Sequence, residues 1–190
     1  MPGFVPPVAD EREGLLGYLA QQRDVLRIAA YGLADDQARA TPTASALSVG
    51  GLIKHCAYVE RGWIDQVLRR PGNRSVEEDE SDLRLDPDET LASALARYDE
   101  EARHTKAVVG GIADLGQAVP VPRDIPWFPK DIEAWSVRWV LLHLIEETAR
   151  HAGHADIIRE SIDGASALSL MAAAEGWPAD ELLKPWEAPA

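Results

Sequence analysis

Apolar residues recur at helical spacing over four long stretches of this chain, and runs of alternating Val, Ile and Thr are missing. The first stretch covers residues 10–33, where Leu15, Leu16, Leu19, Val25, Leu26, Ala29 and Ala30 form a wide stripe. Asp10 is placed to cap it, with Glu13 three residues on, and Gly32 with the polar pair Asp35 and Asp36 closes it. The second opens at Ser45 or Ser48 and carries Val49, Leu52, Ile53, Cys56, Val59, Trp63 and Val67 inward, as far as Pro71, Gly72 and Asn73. The third is expected to open at Asp86 and Pro87, a cap followed by proline in the first helical position, and to end at Gly110 and Gly111. The fourth is the longest, from Ser136 to Ile162, with Asp163 and Gly164 as its stop. Four amphipathic helices joined by one long crossover predict an all-α chain, a four-helix bundle.

Between the helices, the acidic run at residues 77–82 reads as a solvated loop. The proline-rich link at residues 120–129 reads as a surface crossover, or, through Trp127 and Phe128, as a cap on a pocket mouth. Residues 165–190 form a short C-terminal extension with one helical piece near residues 169–174. Trp177 and Trp186 suggest that it packs on the bundle, so residues 1–164 are taken as the domain and 165–190 as its extension.

Composition narrows the function classes. A chain of 190 residues, 46% hydrophobic and 27% charged, buries a core without disulfides, and its single cysteine, Cys56, can build neither an intramolecular disulfide nor a thiolate-rich zinc site. Nineteen Lys and Arg stand against 32 Asp and Glu, a net charge of −13. Such a surface repels phosphate backbones and anionic bilayers, so neither nucleic acid nor membrane is an expected partner. Residues 1–8 hold three prolines, no basic segment and no long apolar core, and no run of about 18 apolar residues occurs. The expectation is a cytoplasmic protein acting on a small molecule.

The informative residues lie on the wrong face of the fourth helix. At about 100° per residue, His143, Glu147, His151 and His154 fall within about 80° of one another, on or beside the stripe of Val140, Leu144 and Ile158. An unpaired carboxylate in that place costs several kcal/mol, so it must be protonated, paired with a cation, or open to a cleft. Glu147 and His151 are four residues apart, which sets their heads side by side over one turn and lets them grip one ion. A third ligand has to come from another helix, and His55, on the core-facing side of the second, is the candidate. Two imidazoles and a carboxylate suit Zn²⁺, with Ni²⁺ or Fe²⁺ as alternatives, and three protein ligands leave a coordination position open. On spacing alone, a Glu–His surface hydrogen bond and a satisfied core histidine at 55 remain alternatives. His104 reads as a surface residue, and His143 as a packing residue or a partner to the ligands.

Two segments carry a resemblance. The run from Ser45 through Leu52, Ile53, Lys54 and His55 to Tyr58, Val59, Glu60, Arg61, Gly62 and Trp63 resembles the DinB-like superfamily of metal-binding four-helix bundles. So does the run from Leu141 through His143, Glu147, His151, Gly153 and His154 to Gly164. The branch it is most similar to holds mycothiol-dependent transferases and the metal-binding domain of mycothiol-dependent maleylpyruvate isomerase. Position by position, the family's first metal histidine matches His55, and its helix-four pair matches Glu147 and His151. Glutamate in place of the commoner first histidine of that pair is a departure seen in the isomerase-like branch. His154 stands where many members carry glutamine and is taken as a partner to the ligands.

The resemblance implies a divalent metal, zinc foremost, that binds a low-molecular-weight thiol such as mycothiol and lowers its pKa, so that a thiolate attacks an electrophile in detoxification. Tyr58, Trp63 and Arg150 are candidates to shape the pocket. The chain offers no room for the isomerase's second domain, so a thiol S-transferase is expected rather than an isomerase. A non-catalytic metal- or ligand-binding bundle of stress response and a metal-dependent hydrolase are the competing readings. Leu142, Ile145, Ala149 and Ala152, opposite the ligand candidates, are either internal packing or the seam of a homodimer.

Overall fold

The computed structural model describes residues 3–70, 83–123, 125–180 and 183–188. The stop at residues 71–73 and the acidic run at 77–82 lie outside the described residues. Each long helix begins where a small polar side chain satisfies the first free amides. In α1 (Glu11–Ala29), the Asp10 carboxylate accepts from the Glu13 amide at 2.9 Å. The helix ends four residues before Leu33, and Asp35 and Asp36, read as a turn, instead open the short helix α2 (Asp35–Arg39). Ser48 caps α3 (Val49–Val67) through a 3.1 Å bond from the Gly51 amide.

The third long helix, α4 (Leu91–Gly111), starts later than expected, with Thr90 as its cap. Asp86 and Glu89 are engaged elsewhere. Lys54, 4% exposed on α3, donates to Asp86 Oδ2 and Glu89 Oε2 at 2.8 Å each, and Arg39 donates to the carbonyls of Leu85, Asp86 and Glu89. A buried ammonium needs those carboxylates, and supplying them holds residues 83–90 across the start of α3 rather than in a helix. The backbone there passes so close that a Cβ on Gly51 would meet the Leu83 carbonyl oxygen at 1.9 Å.

After α4 the crossover contains a feature the sequence pattern did not announce. Strands β1 (Ala118–Pro120) and β2 (Ala134–Ser136) pair antiparallel, with Val119 opposite Trp135. Three-residue strands are too short to show an alternation. Ser136 then caps α5 (Val137–Asp163), which Gly164 ends at φ 76°. In the extension, α6 (Ala167–Glu175) packs on α1, and Trp186 lies over the guanidinium of Arg159 at 4.8 Å and edge-on to Tyr31. A Cβ on Gly32, itself at φ 73°, would come within 2.7 Å of the Trp186 ring.

Helix α1 packs chiefly on α5, and α3 lies between α4 and α5, which makes the all-α four-helix bundle expected from the sequence. Two apolar clusters fill it. One is built around Leu26, Ile53, Tyr98 and Ile158, the other around Leu19, Trp63, Ile64, Leu141 and Leu144. Between their levels lies a polar layer, where Glu60, 2% exposed, accepts from Arg23 at 2.9 and 2.5 Å and from the Thr105 hydroxyl. Among the described residues no helix is long and apolar enough to cross a membrane.

Candidate metal centre

The same polar level continues to the groove where α3 meets α5. There His55, Glu147 and His151, all half-buried, bring one ligand atom each to within 4.8 Å of one another. Glu147 Oε1 lies 3.1 Å from His151 Nε2 and 3.4 Å from His55 Nε2. The imidazoles meet edge to face, 4.9 Å between centroids. Four donors about 2.0–2.1 Å from a tetrahedral ion stand about 3.3 Å apart along each edge. The two separations to Glu147 lie on either side of that value and the third is within 4.8 Å, so the three donors converge closely enough to share one divalent cation. The hydrogen bonds from His151 and His55 hold the Glu147 carboxyl far below the ordinary carboxylate range, so it is ionised, the form a metal requires.

One turn further along α5, His154 Nδ1 lies 3.5 Å from His151 Nδ1. If Nε2 of His151 keeps its lone pair for an ion, its proton sits on Nδ1, and the His154 nitrogen facing it is the acceptor. Burial, with His151 and Arg150 nearby, pushes the His154 pKa down, which favours the neutral ring that such an acceptor must be. His154 is therefore where a supporting partner is needed. Arg150 is exposed on the rim beside it.

The other candidates are dispersed around the groove. His143 stands one turn before Glu147, its ring stacked on Trp139 at 5.2 Å and met edge-on by Trp63 at 4.9 Å. Trp63 is 9% exposed and belongs to the second apolar cluster. Tyr58 sits beneath the Arg97 guanidinium at 4.8 Å, at the α3–α4 side. His104 is half-buried on α4, 3.8 Å from Glu101 and away from the three converging ligands. Cys56 follows His55 in the chain but points into the core, where burial and the Glu147 and Glu60 carboxylates push its thiol far above the usual range; it is no nucleophile. On the other side of α5, Leu142 and Ala149 are exposed, Ile145 is half-buried against the second cluster and Ala152 is in the core.

Sequence reasoning overlooked Trp135 and Trp139, which with Phe128, read from the sequence as part of a cap on a pocket mouth, enclose Trp63 beside the groove. A signal was present: 135, 139, 143, 147 and 151 form one continuous succession of four-residue steps, aromatic and then ligating.

Residues 14–164, a span containing all three converging ligands, match the family model described as Mycothiol-S-transferase. A search of curated proteins finds no match. Among solved structures, the chain is similar to the conserved protein of locus from Enterococcus faecalis. The TM-score is 0.64 at 12% identity, covering 83% of this chain and 100% of that one. At that identity the likeness speaks for the fold alone.

Proposed function

Because the chain belongs to the mycothiol-S-transferase family, we propose that it is a metal-dependent thiol S-transferase in which His55, Glu147 and His151 hold a divalent ion, zinc foremost. The observation that carries this reading is the convergence of two imidazoles and an ionised carboxylate from two helices, their ligand atoms all within 4.8 Å of one another. When bound, the ion supplies a Lewis acid that lowers the pKa of a low-molecular-weight thiol, mycothiol or one like it, so that the sulfur is nucleophilic near neutral pH.

The protein's own residues do the rest. With an ion in place of the hydrogen bonds to Glu147, His55 and His151 would offer it Nε2 lone pairs from two helices, so the site exists only when α3 and α5 are docked. Glu147 contributes one negative charge, which leaves a divalent site with net positive charge toward an incoming thiolate. His154 fixes the tautomer and ring plane of His151. Three protein donors leave room for the thiol, and the groove's half-buried position gives it access from solvent.

Elemental analysis of the purified protein beside His55→Ala and Glu147→Ala tests the reading. It expects about one equivalent of metal in the wild type, lost in both variants, and thiol-dependent consumption of an electrophile by the loaded wild type alone. No metal in folded wild type after reconstitution overturns it. Turnover of an ester without added thiol points instead to a hydrolase. A metal whose chelation collapses the melting temperature, with no turnover, marks a structural ion.

A further inference from the structure

Four of the six tryptophans gather at one end of the α3–α5 groove. The rings of Trp135 and Trp139 are parallel at 4.4 Å, and His143 continues the column at 5.2 Å. Trp63 closes the inner side, edge-on to all three. Phe128 packs on Trp63 and Trp135, and Trp127 stands edge-on to Phe128 at 6.4 Å. Pinning the crossover to the bundle accounts for Trp63, Phe128 and Trp135, which are buried or half-buried. It does not account for Trp127, 63% exposed, or for the outer edge of Trp139, 36% exposed. The exposed face of Trp127 and the outer edge of Trp139, linked through Phe128 and Trp135, leave a wall of indole surface in water that a flat apolar ligand can cover.

Position says what that is. Along α5 the column passes directly into Glu147 and His151, each four-residue step advancing about 6 Å. On α3 the exposed Gly62 lies beside Trp63 and seven residues from His55, and among the described residues nothing stands within 4 Å of where its Cβ would be. The wall is thus continuous with the three ligands on one helix, and a side chain is missing on the facing one. Indoles are electron-rich and flat, and the partner they favour face to face is an electron-poor, flat ring.

We propose that this wall seats the electrophile, and that the electrophile class is a small, planar, electron-poor aromatic lying against the exposed indole of Trp127 and the outer edge of Trp139. The catalytic half of this statement rests on the function proposed above; the binding half does not. In the reaction, the thiolate sulfur of the low-molecular-weight thiol attacks the ring carbon bearing a halide. The C–S bond forms, the carbon–halogen bond breaks, the halide leaves with the bonding pair, and the thiol proton passes to solvent.

The binding half is tested on metal-free full-length protein with 2,4-dinitroaniline, which cannot react. Saturable quenching of tryptophan fluorescence with a new charge-transfer absorption band is expected. Trp127→Ala and Gly62→Leu should each weaken binding about tenfold, the size of one lost aromatic contact, while His55→Ala and Trp177→Phe leave it in place. Absence of saturation, or an unchanged affinity in both Trp127→Ala and Gly62→Leu, overturns the proposal. Trp127 is exposed, so its removal should not unfold the protein, and circular dichroism checks this for both variants. In the loaded enzyme, Trp127→Ala should lower kcat/KM about tenfold for 1-chloro-2,4-dinitrobenzene and leave iodoacetamide unaffected. Equal loss for both electrophiles, or loss for neither, rejects the aromatic assignment. Dinitroaniline binding without any turnover leaves the wall standing and removes the transferase reading instead.

Discussion

His151 is held from both sides of its ring: Nε2 lies 3.1 Å from Glu147, and Nδ1 lies 3.5 Å from His154 Nδ1. Only one of those nitrogens carries the proton of a neutral imidazole; when Nε2 holds an ion the proton is on Nδ1, and the His154 nitrogen is there to accept it. Outer partners of this kind typically govern 10- to 100-fold in metal affinity. His154→Ala should weaken zinc binding by about that factor, measured by competition with a chromophoric chelator, without changing the helical content. His154→Gln, which keeps an acceptor, should restore most of the loss.

The Arg23–Glu60 pair is a liability if broken. Both side chains are almost wholly buried, and Glu60 also takes the Thr105 hydroxyl. Arg23→Leu alone strands a carboxylate between two apolar clusters and should cost about 3–5 kcal/mol in urea unfolding. The double variant Arg23→Leu with Glu60→Leu should recover a large part of that cost, because no buried charge is left without a partner.

Asp156 makes a contribution of unusual sign. Burial, with Glu160 nearby, raises its pKa from 3.8 to about 6. The folded protein therefore keeps a proton between those values that the unfolded chain releases. The penalty is absent below pH about 4, grows as pH rises to about 6, and is fully present above. Asp156→Asn should raise the melting temperature at pH 7.5 by a few degrees and give little difference from wild type at pH 3.8. Thermal scans of the pair across that window check it.

The C-terminal extension should act on stability rather than chemistry. Trp186 covers Arg159, whose guanidinium holds the Ala29 and Tyr31 carbonyls at 2.8 and 2.7 Å at the end of α1. Trp186→Ala loses a cation–π contact and the packing over Gly32, and should lower stability by about 1–2 kcal/mol. Arg159 lies eight residues beyond His151, about 12 Å along the helix, so metal content should be unchanged.

Helix periodicity and caps made the bundle legible before any coordinates. The apolar stripes, Ser48, Ser136, Asp10 and Gly164 are local signals, and local hydrogen bonding is what starts and stops a helix. The spacing of Glu147 and His151 was legible for the same reason, since one turn of one helix places them together. Where the chain departs from its local pattern, a distant partner is responsible. Asp86 and Pro87 read as a helix start, but Lys54, more than thirty residues earlier, draws Asp86 and Glu89 away. The β1–β2 pair has too few residues to announce itself, and it exists because Val119 and Trp135 meet across the crossover.

By itself, then, the sequence determined the helices, their inward faces and a two-residue clamp, all set by interactions within a few residues. Only the tertiary structure decided that His55 comes within 3.4 Å of that clamp, and that Trp63, Trp127, Phe128, Trp135 and Trp139 assemble beside them. Those relationships depend on the docking of α3 against α5, with the crossover laid over their end. Packing of that kind is a property of whole surfaces: the four-residue steps from Trp135 to His151 mark one side of it, and nothing periodic marks what α3 and the crossover bring to the other.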